Sequence, residues 1–544
     1  MKDTTKAWEL YEAGRNYNHR LVPDQYSLVE TNTEFFTGNQ WLHLPQTPAM
    51  RSLPKPTFNI LKRVASLFIA SLTSSAVTIR YEPLAYYDGG GSADPHAEAV
   101  RMANAAVKNL LEQFRFDYRV RQALFDGAQT GDYCAHFYFD PAAKPYGGFL
   151  GAERGEIKME LVEGINVMFG DPNDPVVEHQ PYILLVGRDT VEALKAEQTL
   201  WGGWGEVVSD SENGAFTAVG GKTEVEGSKA LYLYLYSKVD GEVVVSKMTR
   251  TAVIYEDVAT GMTRYPIAWG NWERQRSQYH GRALVTGLVP NQIFINSMFA
   301  TAMRHLQLMA FPKTVYNADM IAGWTNEVGQ AIAVHGLQPR QSVREVAYNL
   351  QPAEMSSQIF ALIDKAMAYT KECLGATDAQ LGTAKAENTS ALIILQTNAQ
   401  VPLENIRAGL YEWVEDIGLI LLDMMAAYYG ERTIVTEREF TEMALSETGA
   451  PILDGETGRV KTEKKKRTVA ERFDFGQFRD LYLKVATDVG ESTYFSEIAM
   501  TQTLDNLRRE GAMDLIQYLE RVPDKLIPRK AELIAELKAK GGTL

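Results

Sequence analysis

The chain has 544 residues, of which 45% are hydrophobic and 23% are charged. This is the composition of a globular protein with a sizeable core, and it excludes a mainly disordered chain. The formal net charge of −14 argues against a protein that binds nucleic acid over its whole surface.

Cellular location is indicated by three features of the sequence. The two cysteines, Cys134 and Cys373, lie far apart, which indicates a reducing compartment without a disulfide framework. The first residues lack the apolar stretch of a signal peptide. The most apolar predicted helix, 409–430, contains four acidic side chains, so we expect no membrane span. Together these features predict a protein of the cytosol.

The N-terminal half predicts an α/β body. Helical periodicity is found at 5–26, after Asn59 and over 97–130, with a break near Phe116. Alternating apolar and polar side chains predict strands, which lie at 77–83, 133–139, 157–162, 166–169 and 182–186.

A β-hairpin and part of the core are also predicted in this half. Asp240 and Gly241 are typical of a tight turn between two strands, at 231–236 and 242–247. We expect Cys134 to be buried in its strand. The aromatic side chains Trp269, Trp272 and Tyr279 are expected in the core or in an interface rather than as a platform for stacking bases.

From residue 290 the pattern changes to long amphipathic helices. One helix is predicted at 290–310, with Pro290 in its first turn, and a second at 353–374. A short α/β insert lies between them at 311–352.

A polar loop at 375–389 then leads into a long predicted helix at 390–430, which contains Pro402. A proline inside a helix removes one backbone hydrogen bond and bends the helix. A bent helix entered through a polar loop indicates a moving or channel-lining part. Strands return at 432–440, and the end of the chain is predicted to be helical.

This order of parts resembles the portal protein of tailed bacteriophages. The stretches that carry the resemblance are EFFTGNQW at 34–41, NILKRV at 59–64, the turn at Asp171-Pro172, and the passage 264–298 that leads into the first long helix. The resemblance extends over nearly the whole chain.

The resemblance implies an α+β, mainly helical fold with wing, stem, clip and crown regions, assembled as a ring. The regions would be a wing at 1–289, a first stem helix at 290–310, a clip at 311–352, a second stem helix at 353–374, a tunnel loop at 375–389, a long kinked helix at 390–430, a return to the wing at 431–490 and a crown at 491–544.

The resemblance also implies a function. The ring, typically a dodecamer, would sit at the capsid vertex of the virion, and genomic double-stranded DNA would be packaged and ejected through it. The implied partners are other copies of the chain, the DNA in the channel, the terminase large subunit, head-completion or adaptor proteins, and the major capsid and scaffold proteins. No enzymatic activity, cofactor or membrane is expected, and assembly would take place in the host cytoplasm.

Candidate channel-lining residues lie on the second stem helix or in the tunnel loop: Lys365, Lys371, Gln380, Thr383, Lys385 and Asn388. Pro402 is the predicted helix kink. Candidate partner-binding residues of the clip are Val315, Tyr316, Trp324, Arg340 and Arg344. Sparse lysines suit a channel through which DNA slides, because many strong phosphate contacts would hold the DNA in place. The alternative is that the three lysines pair on the surface with Asp364, Glu372 and Glu387.

The sequence matches the motifs of enzymes and metal sites only poorly. Residues 220–223 resemble the end of a phosphate-binding loop, but that pattern requires glycine where Phe216 stands. The acidic stretch from Asp171 to His179 is better explained as a turn with polar caps than as a cation site. The basic run 461–467 indicates either a solvated hairpin or a contact with DNA or a partner.

Two alternatives stay open. One is another structural protein of the virion, which does not account for the order helix, insert, helix, loop. The other is a cytosolic α/β enzyme with a helical lid, which would need acid–base or nucleophilic residues in a convergent pattern.

Overall fold

The structure, a computed structural model, describes residues 4–42, 51, 53–73, 76–83, 95–144, 155–210, 229–310, 313–323, 331–340, 342–350, 357–373, 403–443, 462–481, 483–488, 504, 508, 515–522 and 530. The chain forms two compact units. The first unit contains residues 1–33, 65–286 and 378–544, and the second contains residues 34–64 and 287–377.

Helices and strands are mixed along the chain, which confirms the predicted α+β class. The helices are α1 (Thr4–Arg20), α2 (Gln25–Thr37), α3 (Ile60–Leu72), α4 (Pro95–Phe114), α5 (Phe116–Thr130), α6 (Val191–Trp201), α7 (Val289–Ala310), α8 (Val343–Val346), α9 (Ser357–Cys373), α10 (Glu404–Tyr428) and α11 (Leu515–Arg521). The strands are β1 (Thr78–Pro83), β2 (Asp132–Asp140), β3 (Glu156–Val162), β4 (Val167–Phe169), β5 (Tyr182–Thr190), β6 (Trp204–Gly205), β7 (Lys229–Val239), β8 (Glu242–Thr249), β9 (Ala252–Ala259), β10 (Ile267–Asn271), β11 (Lys313–Tyr316), β12 (Ala347–Leu350), β13 (Glu431–Met443), β14 (Thr462–Asp474) and β15 (Leu483–Asp488).

Local sequence signals explain several helix ends. The Asn59 Oδ1 atom accepts a hydrogen bond from the backbone N–H of Lys62 at 3.0 Å, so Asn59 caps α3 as predicted. Thr190 caps α6 in the same way through Ala193 N–H at 3.3 Å. Arg115 has a φ of 52°, and this left-handed residue separates α4 from α5. The predicted break near Phe116 is therefore confirmed.

The prediction of one helix over 5–26 is wrong. The helix α1 ends at Arg20, and α2 begins at Gln25 and continues to Thr37. Asp24 explains the second start, because its Oδ1 atom accepts a hydrogen bond from Tyr26 N–H at 2.9 Å and so caps α2.

The sheets of the first unit are antiparallel and combine hairpins of consecutive strands with pairs that are distant in sequence. A six-stranded sheet has the order β4-β5-β7-β8-β9-β6, and a three-stranded sheet has the order β10-β2-β3. The strands β1 and β15 form a separate pair, as do β13 and β14. The predicted hairpin joins β7 to β8, and Asp240 and Gly241 have positive φ angles of 51° and 86°, as a tight hairpin turn requires.

The helix α10 packs against two of these sheets in the first unit. Its buried Trp413 donates an Nε1–H hydrogen bond to the carbonyl of Ala268 on β10 at 3.1 Å. The ring of Tyr133 meets Trp413 edge-on, with centroids 5.3 Å apart. Tyr81 on β1 donates its hydroxyl hydrogen to the carbonyl of Gly418 at 2.7 Å. These bonds fix α10 across β1 and β10.

A buried polar network lies beside this core. Asp132 accepts hydrogen bonds from Asn271 Nδ2 at 2.7 Å and from the backbone N–H of Gly281 at 2.6 Å. Its other carboxylate oxygen lies 2.6 Å from His280 Nδ1, and His280 Nε2 lies 2.9 Å from Asn18 Oδ1. The network joins α1, β2, β10 and the segment that precedes α7.

The predicted burial of the aromatic cluster and of Cys134 is confirmed. Trp269, Trp272 and Tyr279 are all buried in the first unit, and so is Cys134. Trp269 donates its Nε1–H to the carbonyl of Tyr279 at 3.2 Å. These rings are therefore part of the core, and the prediction that they do not form a base-stacking platform is confirmed.

In the second unit, α7 and α9 pack against each other. Between these two helices in the sequence, the strands β11 and β12 form a small antiparallel ladder. Val315 lies opposite Tyr348 in this ladder. The helices lie within the predicted ranges of 290–310 and 353–374 to within a few residues.

Candidate channel and partner surfaces

The helix α9 buries only a narrow face. Its fully buried positions, Ile363 and Thr370, are two turns apart and so lie on the same side of the helix. Phe360, Leu362 and Tyr369 are 45%, 48% and 59% exposed. Large apolar side chains concentrated on one exposed helix indicate a contact surface.

The C-terminal half of α7 carries a similar surface. Its exposed apolar side chains, each between 39% and 53% accessible, are Met303, Leu306, Leu308 and Met309. The N-terminal half of the same helix is different, since Gln292, Ile295 and Asn296 are buried and only Phe294, at 42%, is an exposed large apolar side chain. Thus α7 is anchored at its start and leaves its apolar end accessible.

Lys365 and Lys371 both lie on α9. Lys365 is exposed and shares a helix face with Leu362 and Tyr369, whereas Lys371 is half-buried in the last turn. Six positions along an α-helix place the two lysines about 120° apart around its axis. A channel on one side of α9 would therefore face one of them more directly than the other.

Four of the five candidate partner-binding residues are exposed, and they lie on β11, in the turn before α8 and in α8. Val315 and Tyr316 are exposed on β11. Arg340 is exposed and has a φ of 86°, and Arg344 is exposed in α8, where its backbone N–H donates to Ser342 Oγ at 3.3 Å. Trp324 lies outside the described residues.

The tunnel-loop candidates also lie outside the described residues, as does the predicted kink. They are Gln380, Thr383, Lys385, Asn388 and Pro402. The described part of the predicted kinked helix is α10, which begins at Glu404.

A buried amide network anchors the start of α7 inside the second unit. Gln292 Nε2 donates to the carbonyl of Phe58 at 2.7 Å and to Asn296 Oδ1 at 3.0 Å. Asn296 Nδ2 donates to Gln40 Oε1 at 2.6 Å, and Gln40 Nε2 donates to the carbonyl of Phe35 at 2.9 Å. Because all these amides are buried and paired, they fix three distant chain segments in one arrangement.

The same segments contain two of the stretches that carry the resemblance, 34–41 and 59–64. Asn59 Nδ2 donates to the carbonyl of Phe36 at 2.9 Å, and Trp41 Nε1–H donates to the carbonyl of Pro56 at 2.9 Å. Sequence reasoning did not single out Gln292 and Asn296. The available signal was a pair of amides four residues apart on an otherwise apolar helix face.

The acidic stretch after β4 forms a turn, as predicted. Asp171 Oδ1 accepts from Asn173 N–H at 3.0 Å, and Asp174 Oδ1 accepts from Val176 N–H at 2.9 Å. His179 Nδ1 lies 2.9 Å from Asp174 Oδ2. The hydrogen bond from Val176 N–H is the largest cause that lowers the pKa of Asp174, and the hydrogen bond and charge of His179 lower it further.

Within the described ranges, no group of three His, Cys, Asp or Glu side chains is arranged to hold a metal ion. None of the described helices has both the length and the apolar character needed to cross a membrane.

Comparison with known protein families finds one match to part of the chain. Residues 208–458 match the sequence model of the family described as Phage P22-like portal protein. The matched region is a little under half of the chain and includes β7 to β10, α7, the β11–β12 ladder, α9 and α10. No curated protein matches the chain.

The match supports a phage portal protein, and the predicted resemblance to the portal proteins of tailed bacteriophages is confirmed. This family is structural rather than enzymatic, and it implies a place at the capsid vertex of a virion.

Proposed function

We propose that the chain assembles into a closed ring at the capsid vertex and that genomic double-stranded DNA is packaged and ejected through the ring. The ring would bind the terminase large subunit during packaging and head-completion or adaptor proteins afterwards. The major capsid and scaffold proteins would surround it during assembly in the host cytoplasm.

The observation that carries the proposal is the exposed apolar surface of α7 and α9, because these helices lie inside the region matched to the portal family. Identical chains arranged around a rotation axis can bury such surfaces in a head-to-tail interface that closes on itself. A monomer would leave them in water, where large apolar patches are unusual.

The charge on α9 agrees with a conduit for DNA. The helix offers Lys365 and Lys371 but also Asp364 and Glu372, so its net charge is close to zero. A lumen with few cations lets the duplex slide, whereas a dense row of lysines would bind its phosphates strongly. We propose that the loop 375–389 extends into this lumen and that the helix bends at Pro402 when the loop moves.

The exposed side chains of the β11–β12 ladder are the proposed docking site for the packaging motor. Val315 and Tyr348 face each other across the ladder and are both exposed, and Arg340 and Arg344 add positive charge nearby in sequence. Apolar anchors with flanking arginines are typical of protein interfaces.

Mass measurement by light scattering, combined with negative-stain electron microscopy, tests the proposal. We expect a ring of about a dozen copies with a central hole. A stable monomer or dimer at micromolar concentration would overturn the proposal and favour the enzyme alternative. A large assembly without a hole would favour another structural protein of the virion.

Deletion of 376–388 tests the proposed role of the tunnel loop. The variant should still form rings, because the apolar surfaces of α7 and α9 remain, but it should package or retain less DNA. Full packaging by this variant would contradict the role given to the loop.

A further inference from the structure

The first unit contains a cavity of about 410 Å³ with aromatic walls. One wall is formed by Trp201 at the end of α6 and Tyr255 on β9, whose ring centroids are 5.2 Å apart. Another part of the wall is formed by Phe139 on β2 and Tyr428 on α10, whose rings are stacked with an interplanar angle of 3° and centroids 4.7 Å apart. The volume is at the small end of the range for ligand sites and fits a side chain.

The cavity is electronegative. Glu197 and Asp140 both line it, and the flat faces of aromatic rings carry partial negative charge. Burial raises the pKa of Tyr255, and the charge of Glu197 raises it further. Burial likewise raises the pKa of Tyr428 to about 12, against the effect of its hydrogen bond with Thr260. These raised pKa values reflect burial of the rings. The attraction for a cation comes from the ring faces and the two carboxylates, of which Glu197 is also paired with Lys247.

A buried cation already occupies the wall next to the cavity. The ammonium nitrogen of Lys247 lies 4.5 Å from the ring centroid of Tyr232 and 4.9 Å from that of Tyr234. It also forms an ion pair with Glu197 at 2.6 Å. The same sheet face thus holds one cation by the combination of ring faces and a carboxylate.

Exposed apolar side chains flank Trp201, which lines the cavity. Leu200, Trp201 and Trp204 are 85%, 52% and 48% exposed, and they follow one another at the end of α6 and in β6. Gln198 Nε2 donates to the carbonyls of Trp204 and Val253, at 3.0 and 3.2 Å, which holds this segment against β9. A small free cation would fill the cavity and leave this surface uncovered, whereas a chain segment would cover both.

We propose that the cavity binds the arginine side chain of another protein, presented by a segment whose neighbouring side chains are apolar. The planar guanidinium group stacks on aromatic rings and is weakly hydrated, so it enters such a cavity more readily than an ammonium group. The neighbouring apolar side chains of the segment contact Leu200 and Trp204. This site lies outside the stem, lumen and clip surfaces, and it does not depend on the proposed function.

The first experiment titrates the full-length protein with N-acetyl-argininamide and follows tryptophan fluorescence. We expect a saturable change with a dissociation constant in the millimolar range. The neutral analogue N-acetyl-norleucinamide should bind at least about tenfold more weakly, because it lacks the cation. Equal binding of the two probes, or no saturable change, would overturn the proposal.

Two exposed tryptophans provide a matched pair of variants. Trp201→Leu removes one wall of the cavity and should weaken binding of the arginine probe about fivefold. Trp204→Leu removes a similarly exposed tryptophan that does not line the cavity, so it should leave the affinity for this small probe unchanged. Equal effects of the two substitutions on the small probe would refute the assignment of the cavity.

The second experiment distinguishes a protein segment from a free cation. A peptide with arginine between two leucines should bind at least about tenfold more tightly than N-acetyl-argininamide, and Trp204→Leu should remove that gain. Absence of the gain would mean that the site takes free small cations, contrary to the proposal. Light scattering then excludes a copy of the same chain as the occupant: Trp201→Leu should leave the size of the wild-type assembly unchanged, and a smaller assembly would overturn the proposal.

Discussion

Asp132 connects distant parts of the first unit through one buried carboxylate. It accepts hydrogen bonds from Asn271, Gly281 and His280, and all three donors would lose their acceptor in Asp132→Ala. We expect a loss of about 3–5 kcal/mol in the free energy of unfolding, as for other buried pairs from which one partner is removed. Denaturant unfolding followed by tryptophan fluorescence measures the change.

The control for Asp132→Ala is Asp319→Ala, which removes an exposed aspartate. We expect its effect to stay within about 0.5 kcal/mol. If the two substitutions change stability equally, the Asp132 network has no special role in holding the first unit together.

Asp126 on α5 predicts a pH dependence of stability. Burial raises its pKa to about 6, and the nearby charge of Glu163 adds to the effect. Because an aspartate in the unfolded chain has a pKa of about 3.9, the folded state loses stability as the pH rises from that value through 6. Asp126→Asn cannot ionise, so it should raise the melting temperature at pH 7.5 and have little effect at pH 4.5.

Thermal unfolding at the two pH values checks this prediction. Glu112→Gln provides the comparison, since Glu112 is exposed on α4 and its replacement should change the melting temperature little at either pH. A gain for Asp126→Asn that is the same at pH 4.5 and 7.5 would contradict the titration argument.

Single residues were predictable where their neighbours in the sequence decide their environment. Trp269, Trp272 and Tyr279 occur close together on β10 and in the segment after it, and their burial is confirmed. The pairing of Asp132 with His280 was not predictable, because 148 positions separate the two residues and nothing local marks either of them as a partner.

Two glycines of α10 have different surroundings. A Cβ atom on Gly418 would lie 2.8 Å from Val485 Cγ1 and 3.0 Å from Ile79 Cγ2, whereas one on Gly409 would have no neighbour nearer than 3.9 Å. Gly409→Ala should therefore stabilise the protein by about 1 kcal/mol through helix propensity. Gly418→Ala should destabilise it by about 1–3 kcal/mol, because the stiff Val485 must move.

Each glycine variant is the control for the other, since both make the same chemical change in one helix. Denaturant unfolding of the two proteins measures the difference. Equal stabilisation by both substitutions would show that the contact between α10 and the β1–β15 pair adapts without cost.

Secondary-structure elements were predicted best where local signals mark their ends. Asn59, Asp240 and Gly241 occupy the cap and turn positions that their residue types favour. The start of α2 was missed because helical periodicity continues across Asp24, and the cap was not recognised. The pairing of β1 with β15 follows from tertiary structure, which no local pattern encodes.

The ring assembly proposed for the whole molecule can be tested with one substitution on α7. Leu306 is exposed, and Leu306→Glu places a charge in the surface that would be buried between neighbouring copies. We expect this variant to form smaller species than the wild type. Light scattering at equal protein concentrations measures the difference.

Gln307→Glu is the matched control, because it introduces the same charge at the next exposed position of α7. Gln307 is not one of the exposed apolar side chains at the end of α7, so this variant should still form rings. Intact rings of Leu306→Glu would show that the end of α7 is not the interface.

At this scale the sequence predicted the order of parts and the class of protein, and the family match confirms the class. The contact surfaces were less predictable. The helical pattern of 290–310 shows which side chains are apolar. It does not show that Gln292 and Asn296 are buried against residues 34–64, or that four apolar side chains near the end of α7 stay exposed.

The pairing of β1 with β15 has a consequence for synthesis of the protein. Pro83 pairs with Leu483, 400 positions later in the chain. At about 5–20 residues per second, β1 leaves the ribosome about 20–80 s before its partner strand exists. Until then Ile79 and Tyr81, which are buried in the folded protein, remain on an unpaired strand that is open to other nascent chains. We therefore expect fragments truncated before residue 483 to aggregate more than the full chain, which light scattering measures.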